Sequence, residues 1–244
     1  MKVAIITAGQ PRFTEDFIAV LNNLKGFETA DLYINLWSSN WTDSVDNGKA
    51  RISKILPSNI VLKKLAIVDH PAKSLPLSEP VLNFDELQWW YDRRIGQIHC
   101  LKLAFELITE PYDIIVRVRP DGCTDMVVDL STINPVSNEI IFCKNTVGGA
   151  HQFPNDQFFI GKPEEIQYLC DLYNEFDKYM IKCTPDWIND VHGWALEHII
   201  GTYLRANGKS IRREEFSHYI NWYGRSAYTT EKHLHMPIVK DPTE

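Results

Sequence analysis

The chain has 244 residues, of which 44% are hydrophobic and 23% charged, and its formal net charge is −7 at pH 7. A chain of this size can bury roughly 70–75% of the surface that its unfolded form exposes, so it can build a core without disulfide or metal staples. Its basic residues are scattered apart from short pairs such as Arg93-Arg94 and Arg212-Arg213, which argues against an extended nucleic-acid interface.

The five cysteines are widely spaced and follow neither a CxxC pattern nor Cys/His ligand spacing, so we expect reduced core thiols. The apolar run near the N-terminus is too short for a signal-peptide core. No segment approaches the roughly 18 apolar residues of a membrane span. These features predict a cytoplasmic protein without an integral membrane segment.

The first third of the chain alternates strand-like and helix-like segments. Residues 3–8, "VAIITA", predict a strand, and "TEDFIAVLNNL" predicts a helix that Thr14 can cap, because its apolar residues recur at helical spacing. The next segments predict a strand, a short helix and a further strand, at residues 31–37, 47–56 and 59–69. Prolines then make residues 70–83 a crossing loop.

A long helix is predicted over residues 84–110, where the apolar residues form one stripe. After it, "YDIIVRVRPDG" at residues 112–122 predicts a return to the sheet. The remaining predictions are strands at residues 138–144, 157–162 and 210–216, and helices at residues 163–180 and 189–208. Because strands alternate with helices, we predict a single α/β domain over residues 1–244, with a Rossmann-like, mixed and mostly parallel sheet flanked by helices.

Ligands of an open parallel sheet bind beyond the carboxyl ends of its strands, so the residues that follow each strand are candidates. After the first strand come Ala8, Gly9 and Gln10, whose backbone amides can approach a ligand, and Arg12, which can pair with a diphosphate. This segment lacks GxGxxG and the Walker lysine, and an ordinary turn remains an alternative. Trp37 ends the second strand, where its ring can stack on a base or a sugar.

Within "YDIIVRVRPDG", Arg117 and Arg119 alternate on one face of the strand, and Asp121 follows it. A carboxylate at this place can bind Mg²⁺ or Mn²⁺ together with phosphate oxygens, although an ion pair that ends the strand is an alternative. On the long helix, Arg93 and Gln97 lie four residues apart and can together reach a diphosphate or a base. The alternative for that pair is a solvated helix face.

The segments "AIITAGQPR", "YDIIVRVRPDG", "NDQFFIGKPEE" and "LEHIIGTYL" follow one another between residue 1 and about residue 205. Together they resemble glycosyltransferases of the GT-A type, especially small bacterial and viral enzymes of glycan assembly. In that family the strand before the active site ends in Asp-x-Asp, which holds a divalent metal on the donor diphosphate. Here Arg119-Pro120-Asp121 stands in its place, so the resemblance implies a divalent cation on Asp121 and leaves metal dependence open.

The resemblance also implies roles for residues further along the chain. Asp156 and Glu197 stand where these enzymes place acids that orient or deprotonate the acceptor hydroxyl, a task that requires a carboxylate within hydrogen-bond reach. His235 matches a late histidine that completes the metal shell in several members. Residues 1–122 would then bind the nucleotide sugar, and residues 123–244 the acceptor.

The expected function is transfer of a hexose-type unit from a nucleoside diphosphate sugar to a hydroxyl of a glycan or polysaccharide acceptor, with Arg12, Arg119 and a metal on Asp121 stabilising the departing diphosphate. A non-catalytic carbohydrate-binding protein on a degenerate transferase fold is the alternative. A PD-(D/E)xK-type nuclease is disfavoured, because Glu139 has no lysine two residues on and the charge balance is wrong for DNA.

Overall fold

The computed structural model describes residues 1–10, 15–38, 41, 43–71, 73–74, 84–120, 122–123, 127–144, 156–182, 196–217 and 219–220. Its helices are α1 (Glu15–Asn23), α2 (Val45–Ile55), α3 (Phe84–Glu106), α4 (Pro163–Lys182) and α5 (Leu196–Ala206). Its strands are β1 (Val3–Gly9), β2 (Leu24–Lys25), β3 (Ala30–Trp37), β4 (Ile60–Val68), β5 (Ile114–Val118), β6 (Gly122–Cys123), β7 (Val128–Asp129), β8 (Glu139–Lys144), β9 (Phe158–Gly161), β10 (Ser210–Ser217) and β11 (Tyr219–Ile220).

The main sheet has seven strands in the order β10-β8-β9-β5-β1-β3-β4. β1 pairs in parallel with β3 and β5, β3 with β4, and β8 with β10, whereas β9 is antiparallel to both of its neighbours, β5 and β8. The predicted α/β fold with a mixed, mostly parallel sheet is therefore confirmed. From β1 the chain continues to β3 and β4 on one side of β1, and it then returns to β5 on the other side. The strand order therefore reverses between β1 and β5. Ligand crevices of open α/β sheets occur at such a point.

Alternating side chains divide the core into one layer on each face of the sheet. Ala4, Ile6 and Ala8 of β1 pack with residues of α3, α4 and α5, whereas Val3 and Ile5 pack with residues of α1 and α2. Successive side chains of a strand point to opposite faces, which explains this division. On the first face, α3 contributes the buried residues of its predicted stripe, namely Tyr91, Ile95, Ile98 and Leu101.

Two helices end earlier than the apolar pattern alone suggests, and local chemistry explains where they end. α3 ends at Glu106 rather than at residue 110, and Pro111 disfavours helical geometry in the residue before it. α5 ends at Ala206, and Gly208 follows with φ of +68°, a conformation that glycine adopts readily. The amide of Lys209 then donates to the carbonyl of Leu204 at 2.9 Å, which closes the helix end.

Cys100, Cys143 and Cys170 are reduced and buried, as the cysteine spacing predicts; the side chains of Cys123 and Cys183 lie outside the described residues. Burial raises the pKa of the Cys100 thiol to about 12, so this thiol stays protonated and unreactive at neutral pH. Among the described helices, none is both long enough and apolar enough to cross a bilayer.

A buried ion pair joins three elements at the amino ends of β8 and β10. The carboxylate of Glu165, in the first turn of α4, accepts hydrogen bonds from the Lys209 ammonium at 2.6 Å and from the Asn138 amide at 2.7 Å. Asn138 has a φ of +69°, and its side-chain amide donates to the carbonyl of Gly208. This network lies at the sheet edge opposite the carboxyl ends of the parallel strands.

We expect Glu165→Gln to destabilise the protein by about 2 kcal/mol, because the Lys209 ammonium would lose its anionic partner in a largely buried place. Glu164→Gln is the matched control, since Glu164 is the neighbouring residue in the same helical turn and its side chain is exposed. Urea unfolding of both variants measures the difference. Equal midpoints for the two variants would contradict a stabilising role of the pair.

Candidate active site

Arg117 of β5 links the carboxyl ends of β5 and β1. Its guanidinium donates to the carbonyl of Val118 at 2.7 Å and to the carbonyl of Ala8 at 3.1 Å, and the residue is 4% exposed. Both hydrogen bonds go to backbone carbonyls, so the guanidinium N–H groups that form them do not face solvent. Arg117 therefore helps to hold the carboxyl ends of the two strands together, and Gly9, the last residue of β1, has a φ of +127°.

Arg119 and Asp156 meet where β5 ends and β9 begins. The amide of Arg119 extends the antiparallel ladder by donating to the carbonyl of Gln157 at 3.0 Å. The Nη1 atom of Arg119 lies 3.4 Å from Oδ2 of Asp156. The two side chains are 14% and 7% exposed, so this ion pair is largely shielded from water.

Glu197 and Arg94 complete the group from two helices. The first turn of α5 carries Glu197, whose carboxyl group interacts electrostatically with that of Asp156. α3 carries Arg94, whose charge interacts with those of Glu197, Asp156 and Arg119. We call Arg94, Arg119, Asp156 and Glu197 the charge cluster; four separate parts of the chain contribute to it.

The environment of the charge cluster changes the protonation of Glu197. Burial, and next the negative charge of Asp156, raise the pKa of Glu197 to about 7, while the positive charge of Arg94 opposes this rise. Burial likewise lowers the pKa of Arg94, against the attraction of Glu197 and Asp156. When Glu197 is protonated its hydroxyl donates to the Asp156 carboxylate, and when it is ionised the two carboxylates repel each other.

This arrangement suits proton transfer beside an anionic ligand. A carboxyl group that titrates near neutral pH can accept a proton from a hydroxyl and later release it. Guanidinium groups bind phosphate oxygens in a planar, bidentate way. Perturbed titrating groups beside a ligand crevice are typical of functional sites.

The structure brings together three of the residues that the sequence singles out: Arg119, Asp156 and Glu197. Ala8 and Gly9 end β1 and Gln10 follows it, at the carboxyl edge of the sheet, with Ala8 buried and Gln10 partly buried. Arg12, Asp121 and His235 lie outside the described residues.

Three further predicted binding residues, Trp37, Arg93 and Gln97, are not part of the charge cluster. Trp37 is only 5% exposed, and its ring meets the His70 ring edge-on with 4.7 Å between centroids, so in this structure it is part of the core. Arg93 is exposed and its guanidinium lies 3.7 Å from the centre of the Trp89 ring. Gln97, one turn further along α3, is partly buried.

Arg94 is the functional candidate that the sequence reasoning missed. It adjoins Arg93, and the sequence patterns above mark Arg94 only as the second residue of a short basic pair. The helical spacing distinguishes Arg94 from Arg93, because Arg94 lies three residues after Tyr91 and four before Ile98, two fully buried residues. A cation on the border of a buried stripe is directed towards neighbouring elements, whereas Arg93 is directed towards solvent.

The described residues contain no group of three or more His, Cys, Asp or Glu side chains that could hold a metal ion. The carboxylates of Asp156 and Glu197 do not fit a cation site by themselves, because two arginines already neutralise them. The metal ligands expected from the sequence, Asp121 and His235, lie outside this part of the chain.

A surface depression at the other edge of the sheet is a weaker candidate for a functional site than the charge cluster. Its lining includes Met1, Lys2, Phe27 and Asp113, close to the amino ends of the strands. The Lys2 ammonium is paired with Glu110 at 2.7 Å, and the Lys2 amide donates to Asp113 at 2.6 Å. We therefore place the functional candidate at the carboxyl edge and not in this depression.

Neither a protein-family model nor a curated protein matches this chain. A functional assignment accordingly has to be argued from the charge cluster and its place in the fold.

We expect Glu197→Gln to remove a pH dependence of stability between about pH 4.5 and pH 7. In this window the folded protein holds the Glu197 proton more tightly than the unfolded chain does, so wild-type stability decreases as pH rises. Relative to wild type, the variant should gain about 2 kcal/mol between pH 4.5 and pH 8. Thermal unfolding across this range measures it, with Glu164→Gln as the exposed control.

Parallel stability curves for wild type and Glu197→Gln would contradict a raised pKa at Glu197.

Proposed function

We propose that this protein is a glycosyltransferase of the GT-A type, which transfers a hexose-type unit from a nucleoside diphosphate sugar to a hydroxyl of a glycan or polysaccharide acceptor. The observation that carries the proposal is the charge cluster at the carboxyl edge, near the point between β1 and β5 where the strand order reverses. It combines a carboxyl group that titrates near neutral pH with guanidinium groups suited to phosphate. The four sequence segments that resemble this family provide further support.

Donor binding would use Arg119 together with the turn after β1. The contact of Arg119 with Asp156 is 3.4 Å long, whereas charge-assisted hydrogen bonds are typically about 2.7–2.9 Å. A diphosphate oxygen can therefore compete for this guanidinium. Gly9 and Gln10 would offer backbone amides on the other side of the crevice, and Arg12 would add a second cation.

The transfer itself would use the carboxyl pair as base. The acceptor hydroxyl oxygen forms a bond to the anomeric carbon, while the bond from that carbon to the diphosphate oxygen breaks and its electron pair leaves with the diphosphate. The hydroxyl proton passes to ionised Glu197 or to Asp156. Because Glu197 titrates near neutral pH, it can be both ionised and basic enough for this role.

The growing charge on the departing diphosphate would be stabilised by Arg119 and Arg12. A divalent cation held by Asp121, with His235 completing its shell, would supply additional positive charge to the same diphosphate when bound.

A panel of nucleotides tests the proposal. We expect UDP or GDP to raise the melting temperature, and the matching nucleotide sugar to be hydrolysed slowly without acceptor. If a cation acts through Asp121, then Mn²⁺ should stimulate turnover by wild type and not by Asp121→Ala. A carbohydrate-binding protein would respond to oligosaccharides and ignore both nucleotides, and that outcome would replace the proposed transferase with the alternative.

We expect Arg119→Met to weaken binding of the nucleoside diphosphate about tenfold to a hundredfold, because charged hydrogen bonds to phosphate are lost while the alkyl stem is kept. Isothermal titration calorimetry measures the affinity. Arg205→Met is the matched control, since Arg205 is exposed in the last turn of α5. Equal affinities for the two variants would remove Arg119 from the donor site.

A further inference from the structure

Trp89 of α3 presents a large aromatic side chain at the surface. In the described part of the chain it is the only aromatic residue among the exposed large hydrophobic residues, and it is 45% exposed. Two residues on, Tyr91 is fully buried in the core. Single aliphatic side chains at a surface are ordinary, whereas exposed tryptophan rings are enriched where proteins bind other molecules.

Arg93 holds the Trp89 ring from one side. It lies one turn further along α3, and its Cζ atom is 3.7 Å from the centre of the ring, so the guanidinium covers one face. Arg93 is itself exposed. Because Trp89 stays 45% exposed with this contact in place, a large part of the ring is both oriented and accessible to a ligand.

A second pair of side chains lies one position back along the same helix. The side-chain amide of Gln88 donates to Oδ1 of Asp92 at 2.8 Å and to the backbone carbonyl of Lys73 at 2.8 Å. Gln88 and Asp92 are partly buried. We call Gln88, Trp89, Asp92 and Arg93 the Trp89 platform. It combines an aromatic ring with a carboxylate that can accept hydrogen bonds and a guanidinium that can donate them.

The Trp89 platform lies at the same edge of the sheet as the charge cluster. β4 is parallel to β3, so the chain leaves β4 at the carboxyl edge before it enters α3. The bond from Gln88 to Lys73 ties the start of α3 to the segment that follows β4. Further along α3, Gly96 packs so closely against His70 of that segment that a Cβ atom there would lie 2.2 Å from Nε2.

We propose that the Trp89 platform is a sugar-binding subsite that holds one neutral pyranose ring of the acceptor glycan. The C–H groups on one face of a pyranose can pack on an aromatic ring, while its hydroxyl groups can accept hydrogen bonds from a guanidinium and donate them to a carboxylate. That the glycan is an acceptor rests on the proposed function, whereas the binding of a pyranose does not.

Charge and shape favour a neutral sugar chain over other ligands. Asp92 and Arg93 contribute one negative and one positive charge, so the platform complements a neutral ring better than a phosphate or an acidic sugar. A nucleobase also stacks on aromatic rings, but sites for small molecules are typically concave and enclose most of the ligand. An exposed helix face instead suits one ring of a chain that extends beyond the site.

Fluorine NMR of the full chain labelled with 5-fluorotryptophan tests the subsite. The signal of Trp89 is the one that disappears in Trp89→Phe. The probes are neutral hexasaccharides of glucose, N-acetylglucosamine, mannose and galactose. We expect at least one of them to shift the Trp89 signal in a saturable way, and we expect UDP to leave this signal unchanged.

Variants then measure the contribution of the ring by isothermal titration calorimetry with the hexasaccharide that shifts the signal most. Trp89→Ala should weaken its binding at least about tenfold, because stacking is lost, and Trp89→Phe should keep part of the affinity. Val45→Ala is the matched control, since Val45 is an exposed apolar residue at the start of α2. If Trp89→Ala does not fold, Trp89→Leu, which keeps an apolar side chain without a ring, takes its place.

The outcomes separate the subsite from the proposed function. Equal affinities for wild type and Trp89→Ala, or a Trp89 signal that no hexasaccharide moves, overturn the subsite and leave the Trp89–Arg93 contact a pair that stabilises α3. A Trp89 signal that responds to UDP instead, or to protein concentration alone, assigns the ring to a nucleotide or to a second copy of the chain and also overturns it. Wild-type protein that binds a hexasaccharide through Trp89 but neither UDP nor GDP overturns the proposed transferase and keeps the subsite.

Discussion

The candidate site depends on the reversed direction of one strand. β9 lies between β5 and β8 and runs antiparallel to both, so it begins at the edge of the sheet where β5 ends. Asp156, just before β9, therefore meets Arg119, just after β5. A parallel strand in this place would begin at the opposite edge, and the two residues would be separated by the length of the strand. The backbone bond between Arg119 and Gln157 keeps this meeting point fixed.

Burial gives the charges that meet there their chemical character. In an isolated ion pair such as Lys209 with Glu165, one ammonium group neutralises one carboxylate, which also accepts a hydrogen bond from a backbone amide. Such a pair joins elements of the fold. The charge cluster instead holds two carboxyl groups near enough to interact, an arrangement that burial and repulsion both disfavour when the groups are ionised. Structural stability alone does not require that arrangement. Protein sites that depart from the simplest stable solution are typically functional, which is why we assign the chemistry to the charge cluster.

Local sequence patterns predict most of the helices and strands and some of the residues of the candidate site. The alternation of short apolar runs with helical stripes predicts the strands, the helices and the α/β class, because these patterns depend on neighbouring residues. The pairing of β9 depends on contacts between distant segments, so the meeting of Arg119 with Asp156 was not predictable from spacing. Trp37 shows the converse problem: it ends a strand, but it shares a face with Tyr33 and lies beneath α3, so burial prevails over its position. Arg94 was missed because it was treated as one of a basic pair rather than by its place on the helix.

The balance of charges indicates how much positive charge the proposed donor site still requires if it binds a nucleoside diphosphate. Fully ionised, the charge cluster contains two guanidinium groups and two carboxylates, so its own cations only match its own anions. A diphosphate that takes over Arg119 brings further negative charge into a site with little access to water, where unlike charges attract and like charges repel more strongly than in solution. Glu197 would then hold its proton more tightly, so a smaller fraction of it would be ionised and ready to accept a proton at neutral pH, unless further positive charge arrives with the donor. Arg12, or a cation on Asp121 in the segment that follows β5, stands at the right place along the chain to supply it. If the proposed donor binds, the two charged residues of Arg119-Pro120-Asp121 would have different tasks: the arginine would meet the diphosphate directly, and the carboxylate would recruit the cation that the added charge requires.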